Sequence, residues 1–191
     1  MESPVRIVAL AGSYRSNSLN QALLAAAAEE APAHVEVAPF DLRDVPLYDG
    51  DLEVAGDPEP VRALKDAVRG ADAVLIATPE YNSSIPAVLK NGIDWASRGR
   101  PDAATSGKPV AMFGASGGRS GTRRAQEHLA LVLSRIGMEP VAGAHLQVAS
   151  AGAYIEDGIV TSDVLRAEVR NAVETLISAA EARRADLAEA V

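Results

Sequence analysis

The stretch Val5-Arg6-Ile7-Val8-Ala9-Leu10-Ala11 constrains the fold more than any other segment. It is apolar almost throughout and does not alternate. A strand with one wet face alternates, whereas a near-continuous run belongs to a strand covered on both faces, as in a parallel sheet. Ala73–Ala77 and Pro109–Phe113 have the same character, while His34–Phe40 alternates and reads as a strand nearer an edge. A fifth strand is predicted within Glu139–Val148.

Stripes of helical period separate these runs. Leu19, Leu23 and Ala26 share one face, and Val61, Leu64 and Val68 mark a short helix stopped at Gly70. A helix with Ser84 as N-cap and Pro86 in its first turn follows the central strand. Ala125, Leu129, Val132 and Ile136 stripe another, which Gly137 ends. Ser162 caps a last helix striped by Leu165, Val169, Val173, Leu176 and Ala180, and Glu181–Val191 is predicted to fray. Asp41–Pro58 reads as a polar, proline-bearing loop. With no repeat or linker, residues 1–191 are expected to form a single domain.

Strand–helix alternation predicts an α/β fold with helices on both faces of a parallel sheet. Right-handed crossovers leave few topologies for five strands, and the flavodoxin-like order 2-1-3-4-5 is the expected one. Its ligand crevice lies beyond the carboxyl ends of strands one and three. That rule selects the loops at 12–20, 79–84 and 114–121.

Composition narrows the chemistry. Lys+Arg 18 against Asp+Glu 26 leaves a net charge of −8, which repels nucleic acid and anionic lipid surfaces. The absence of cysteine rules out disulfides, thiolate catalysis and Cys-type metal sites. Any redox chemistry would therefore be carried by a bound cofactor. Val5–Ala11 is too short for a signal-peptide core, and no run approaches the ~18 apolar residues that span a bilayer, so a cytoplasmic protein is expected.

The first loop, Gly12–Asn20, brings hydroxyls, an amide and the Arg15 guanidinium to a helix N-terminus, a place suited to phosphate. Taken alone, the motif reads first as a helix cap at Ser16 or Ser18, with Arg15 pointing to water. The pattern is neither the dinucleotide glycine motif nor a Walker loop. In the second loop, Thr78–Pro86, two prolines stiffen a polar turn that can border a planar ring. The third loop, Gly114–Gly121, is glycine-rich and allows close backbone approach to a flat ligand. It also matches the G-x-S-x-G nucleophile elbow through Gly114, Ser116 and Gly118, which keeps a serine hydrolase as a rival. His128 and His145 are poorly placed to complete a triad.

Two motifs identify a resemblance: G-S-x-R-x-x-S-x-N at Gly12–Asn20 and P-E-Y-N-x-S-x-P-x-x-L-K-N-x-I-D-W at Pro79–Trp95. Together they resemble the NAD(P)H-dependent FMN reductases of the flavodoxin-like superfamily, in particular the quinone and chromate reductase branch. Pro46–Asp49, Arg124–Leu129 and the Asp157-Gly158 turn extend the likeness over nearly the whole chain. The resemblance implies that Ser13, Arg15, Ser18, Leu19 and Asn20 hold the FMN phosphate. Pro79, Glu80, Tyr81, Asn82 and Ser83 would border the isoalloxazine, with Ser116 and Gly117 closing its other edge. Tyr14, where the family usually has an aliphatic residue, and Ser120, where it often has glycine, are departures.

The implied activity passes hydride from NADPH or NADH through flavin N5 to quinones, azo compounds, metal oxyanions or free flavin, with no catalytic side chain. An FMN electron carrier without nicotinamide turnover is the alternative, and an aromatic content of only 4% favours the open enzyme site. The aspartates at 41, 44, 49, 51 and 57 lack EF-hand spacing and read as a solvated loop, and the three histidines read as structural. Arg119, Arg123 and Arg124 form a basic spot, explained by helix-surface solvation or by contact with NADPH phosphate or a neighbouring subunit. The segment Ile85–Ser97 carries Ile85, Val88, Leu89, Ile93 and Trp95 on more than one face, and Gly92 permits close approach. A homodimer or homotetramer through this helix and Pro46–Asp51 is expected.

Overall fold

The computed structural model describes residues 3–99 and 102–189. Its sheet runs β2 (Val35–Phe40), β1 (Val5–Ala11), β3 (Ala73–Ala77), β4 (Pro109–Ala115), β5 (Glu139–Pro140), all parallel. The predicted 2-1-3-4-5 order is therefore present. Helices α1 (Leu19–Glu30) and α6 (Asp163–Glu189) cover one face. Helices α3 (Glu59–Gly70), α4 (Ala87–Ala96) and α5 (Arg123–Arg135) cover the other.

The continuous apolar runs serve both faces at once. Ile7, Ala9, Leu75 and Phe113 point towards α1 and α6, while Val8, Leu10, Ile76 and Met112 point towards α3, α4 and α5. Both sets are buried, which is why the strands show no alternation. Edge strand β2 alternates because one of its faces is wet.

Four local expectations are corrected. The loop at 41–58 contains a short helix, α2 (Gly50–Ala55), capped by Asp49, whose carboxylate accepts from the Asp51 N–H at 2.8 Å. Other acidic groups there also have assignments, since Asp41 pairs with Arg43 and Asp57 with Lys65. Helix α4 starts at Ala87 with Pro86 at its cap, so Ser84 is not the cap but part of the preceding turn. The C-terminal segment does not fray within the described residues, since α6 continues to Glu189; residues 190–191 lie outside them. Finally, the fifth strand is divided. After β5 the chain leaves the sheet and returns as β6 (Leu146–Val148), again pairing with β4.

That division leaves the Met112 N–H, between the two pairings, without a strand partner. The His145 Nδ1 accepts it at 3.1 Å. Burial, outweighing a backbone contact at Ala144, holds the imidazole below its ordinary value of 6.5, so the ring stays neutral as an acceptor requires. The unfolded chain takes up this proton near 6.5 and the folded chain only at lower pH. The contribution to stability is complete above that value and is lost as pH falls through the folded pKa. We expect His145→Ala to lose about 1–3 kcal/mol at neutral pH by stranding the Met112 N–H. The gap to the parent should narrow in acid; a gap in thermal midpoint that does not change with pH would reject this role.

The apolar face of α4 is used within the chain. Leu89, Ile93 and Trp95 are at most 3% exposed, packed with Leu42, Val45 and the residues of α3. The Trp95 indole donates to the Pro46 carbonyl at 2.9 Å, and Asn91 donates to the same carbonyl while accepting from the Tyr48 N–H. A Cβ on Gly92 would lie 2.7 Å from Leu42 Cδ2, so this glycine admits the chain's own leucine rather than another backbone. The expectation that α4 presents spare apolar surface is thereby overturned. Of the surface predicted with it, Leu47 remains exposed, and Leu52 and Val54 of α2 extend it.

Candidate functional site

Strands β1, β3 and β4 end side by side, and their loops bond directly to one another. Gly12 N–H donates to the Ala77 carbonyl at 2.8 Å, and Thr78 N–H to the Phe113 carbonyl at 2.9 Å. A Cβ on Gly12 would stand 3.0 Å from the Pro79 ring, so glycine lets the first two loops touch. Asn20 joins the first to the third, its Oδ1 accepting from Ala115 N–H at 2.9 Å and its Nδ2 donating to the Ala115 carbonyl at 3.2 Å.

At the start of α1, Ser18 is the N-cap, with its Oγ accepting from Gln21 N–H at 3.4 Å and its carbonyl from Ala22 N–H. Among the described residues the Leu19 and Asn20 N–H groups have no hydrogen-bond partner, as the first turn of a helix leaves them. Ser13 and Ser18 are buried beside them, and the Ser13 carbonyl is held by Gln21 Nε2 at 2.7 Å. Arg15 is exposed, with no hydrogen bond or ion pair among the described residues. With the Asn20 amide occupied at Ala115, any contact from Asn20 to a ligand phosphate falls to its main chain. Tyr14 is turned away from this site, its hydroxyl accepting from Leu42 N–H at 2.7 Å.

The second loop is a tight turn in which Tyr81 and Ser84 exchange two backbone hydrogen bonds across Asn82 and Ser83. Those two residues have φ of 52° and 63°, the left-handed values a two-residue hairpin requires. Helix α5 holds this strained turn in place. Glu80 Oε2 accepts from the N–H groups of Arg124 and Ala125 at 3.0 and 3.3 Å, serving as the α5 N-terminal anion. Arg124 also donates to Ser83 Oγ, and Ser84 Oγ lies 2.8 Å from His128 Nδ1. Tyr81 remains exposed, and Pro79 is half-buried against the first loop.

In the third loop, Ser116 N–H donates to Val148, and the Ser116 and Gly118 carbonyls accept from Ala151 and Ser150. The segment after β6 thus braces the loop. A Cβ on Gly117 or Gly118 would meet nothing within 4 Å, so open space adjoins both. The Ser116 hydroxyl donates to Gly118 O at 3.3 Å, while His128 and His145 bond to Ser84 and Met112. The nucleophile-elbow alternative thus lacks its histidine.

Sequence reasoning did not assign the supports around these loops: the Arg124 side chain, the Ser150 N–H, and the tip at Gly158 of a small antiparallel hairpin that pairs Ile155–Glu156 with Ile159–Val160. A Cβ on Gly158 would lie 3.3 Å from Asn17 Cα, so that tip seats on the first loop. The Asp157-Gly158 pair was the one sequence signal for it. Of the basic spot, Arg123 pairs with Glu127 and Arg124 serves the second loop. No helix among the described residues is long and apolar enough to cross a membrane.

A capped helix start, a rigid polar turn and an open glycine loop at the β1/β3 switch point define a flavodoxin-like protein with a site for a phosphorylated planar ligand. The buried hydroxyls and unpaired N–H groups at α1, with the open space at Gly117 and Gly118, fit FMN.

The comparisons place the chain within that class. Residues 5–153 match the family model described as NADPH-dependent FMN reductase, and the chain belongs to this family. It is 38% identical over 177 residues to an NAD(P)H-dependent FMN reductase of Pseudomonas aeruginosa, covering 92% of this chain and 95% of that protein. Identity with a quinone reductase of Escherichia coli K12 is 43% over 135 residues, covering 70% and 71% of the two chains. The solved structure of FerB, a flavoenzyme NAD(P)H:(acceptor) oxidoreductase from Paracoccus denitrificans, aligns with a TM-score of 0.83 at 34% identity, covering 93% of this chain and 97% of that one. Family membership makes this protein an oxidoreductase that works with FMN and NAD(P)H.

Proposed function

We propose that the protein reduces quinones, and by the same open site azo compounds, metal oxyanions or free flavin, at the expense of NADPH or NADH. The observation that carries this reading is the convergence of the Ser18-capped helix start, the Glu80-anchored turn and the open Gly117–Gly118 loop on one crevice. The resemblance to quinone reductases supports the acceptor class. Bound FMN supplies the capacity to take up a hydride and pass it on.

The chain's own residues bind and orient. Leu19 and Asn20 N–H, with Ser13, Ser18 and Arg15, hold the phosphate. Pro79, Tyr81, Asn82 and Ser83 lie along one edge of the ring, with Glu80 fixing their position, and the backbone of Ser116 and Gly117 lines the other. With the Ser116 N–H bonded to Val148, the Gly117 N–H is the donor there suited to negative charge developing on the ring. We assign residues 1–191 to one FMN-binding domain acting in the cytoplasm as a homodimer or homotetramer. The Leu47, Leu52 and Val54 surface would take the partner in place of α4.

The direct test is to saturate the protein with FMN, add NADPH without oxygen and follow the visible absorption, then add a benzoquinone. Bleaching followed by quinone-dependent recovery is expected; a yellow protein that never bleaches would make it an electron carrier. Arg15→Ala is expected to weaken FMN by about 1.5–3 kcal/mol, the range of a charged hydrogen bond, while leaving riboflavin affinity unchanged. Equal loss of both ligands would remove Arg15 from the phosphate site.

A further inference from the structure

Lysines and arginines are outnumbered on this chain, 18 against 26 aspartates and glutamates, and nearly all of them are engaged. Among the described residues, every lysine and arginine but two has a hydrogen-bonding, ionic or aromatic partner. The two are Arg15 and Arg119, both exposed, and both stand in loops at the carboxyl ends of the central strands. Arg15 is assigned to the FMN phosphate. Arg119 is left without a role.

The backbone presents Arg119 from a fixed position in the third loop. The carbonyl before it, at Gly118, accepts from Ser150 N–H at 2.8 Å, and the one after it, at Ser120, accepts from Arg123 N–H at 3.0 Å. Ala149–Ala153, which braces the loop, carries no charged residue. The acids at the start of α5 are already engaged, Glu127 by the Arg123 guanidinium at 3.0 Å and Glu80 by the Arg124 and Ala125 N–H groups. Arg119 is therefore an uncompensated charge at the rim of the crevice, beyond the Ser116 and Gly117 backbone that lines the ring. A guanidinium fork matches a phosphate monoester, whose terminal oxygens accept two N–H groups at once. Of the reactants this family uses, the nicotinamide nucleotide is the one that brings phosphate besides FMN. Its nicotinamide has to reach the flavin, which leaves its adenosine end towards the rim.

We propose that Arg119 binds the 2′-phosphate of NADPH and so makes NADPH the preferred hydride donor. The proposal rests on the crevice being the flavin and nicotinamide site, and it selects between the two donors there. The pyrophosphate is common to both donors and lies nearer the ring, whereas the 2′-phosphate is the outer and more highly charged group. The test titrates the FMN-saturated protein with NADP+ and with NAD+ by calorimetry, then measures kcat and KM for NADPH and NADH with a benzoquinone acceptor. Arg119→Ala should weaken NADP+ about tenfold and raise KM for NADPH to match, the effect of one charged hydrogen bond. Binding of NAD+, KM for NADH, KM for the quinone and affinity for FMN should stay as in the parent. Arg119→Lys, which keeps the charge without the fork, should fall between. Arg123→Ala removes a cation that Glu127 already holds and should leave the donor preference unchanged. A parent that binds NADP+ no tighter than NAD+, equal loss of both nucleotides in Arg119→Ala, or the same shift in Arg123→Ala would each overturn the proposal. A parent that retains no FMN would defeat the flavin reading itself, and this proposal with it.

Discussion

Gly114→Ala is expected to lower the thermal midpoint by about 10 °C, from an overpacking cost of about 3 kcal/mol or more. A Cβ at this position would lie 1.6 Å from Thr122 Oγ1, 2.9 Å from Thr122 Cβ and 2.8 Å from Gln126 Nε2. None of these atoms has room to retreat. Thr122 is fully buried with φ of 65°, a left-handed value unfavourable for a β-branched residue, and Gln126 is tied to the Leu146 carbonyl at 2.7 Å. Thr122→Gly in the same chain should restore much of the loss, because it removes the clashing atoms and relaxes the backbone. A single variant that melts within a degree or two of the parent would show that β4 and α5 are not packed this way.

Removing the Glu80 carboxylate should have the next largest effect, on flavin binding rather than on the fold. Glu80→Ala takes two N–H partners from the start of α5 and frees a turn whose Asn82 and Ser83 are held at unfavourable backbone angles. The Arg124–Ser83 and Ser84–His128 contacts that remain are exposed. Affinity for FMN and riboflavin should fall together, by about 10–100-fold for lost hydrogen bonds to a charged group. Glu80→Gln, which keeps an acceptor oxygen, should lie between parent and Ala. The paired ligands separate this result from that of Arg15→Ala, where only FMN is affected. If Glu80→Ala weakened FMN while sparing riboflavin, the carboxylate would not be acting through the turn at the ring.

The histidines illustrate what local reading misses. Their spacing indicated a structural role, yet not which one. His145 completes a sheet at a gap made by the chain leaving and re-entering it, and His128 meets Ser84 from 44 residues away. Neither partner lies nearby in sequence, so neither contact leaves a local pattern. The apolar side chains of α4 misled for the same reason. Residues on several faces of a helix look like spare surface until Leu42 and the Pro46 loop close over them. Helix α2 is too short and too polar to leave a stripe of helical period.

The sequence by itself determined the parallel sheet, the strand order and the three loops that meet at the carboxyl ends of β1, β3 and β4. These follow from local periodicity, from turn residues and from the few topologies that right-handed crossovers permit. The motif residues at Gly12–Asn20 and Pro79–Trp95 also lie within single segments and were readable there. Only the tertiary structure decided how each group is used: Asn20 as a clamp on β4, Glu80 as the anion at α5, and Gly114 as room for Thr122. Those roles depend on hydrogen bonds and van der Waals distances between segments up to 95 residues apart. A side chain's identity sets what it can bond to, and the packed fold alone sets which partner it meets.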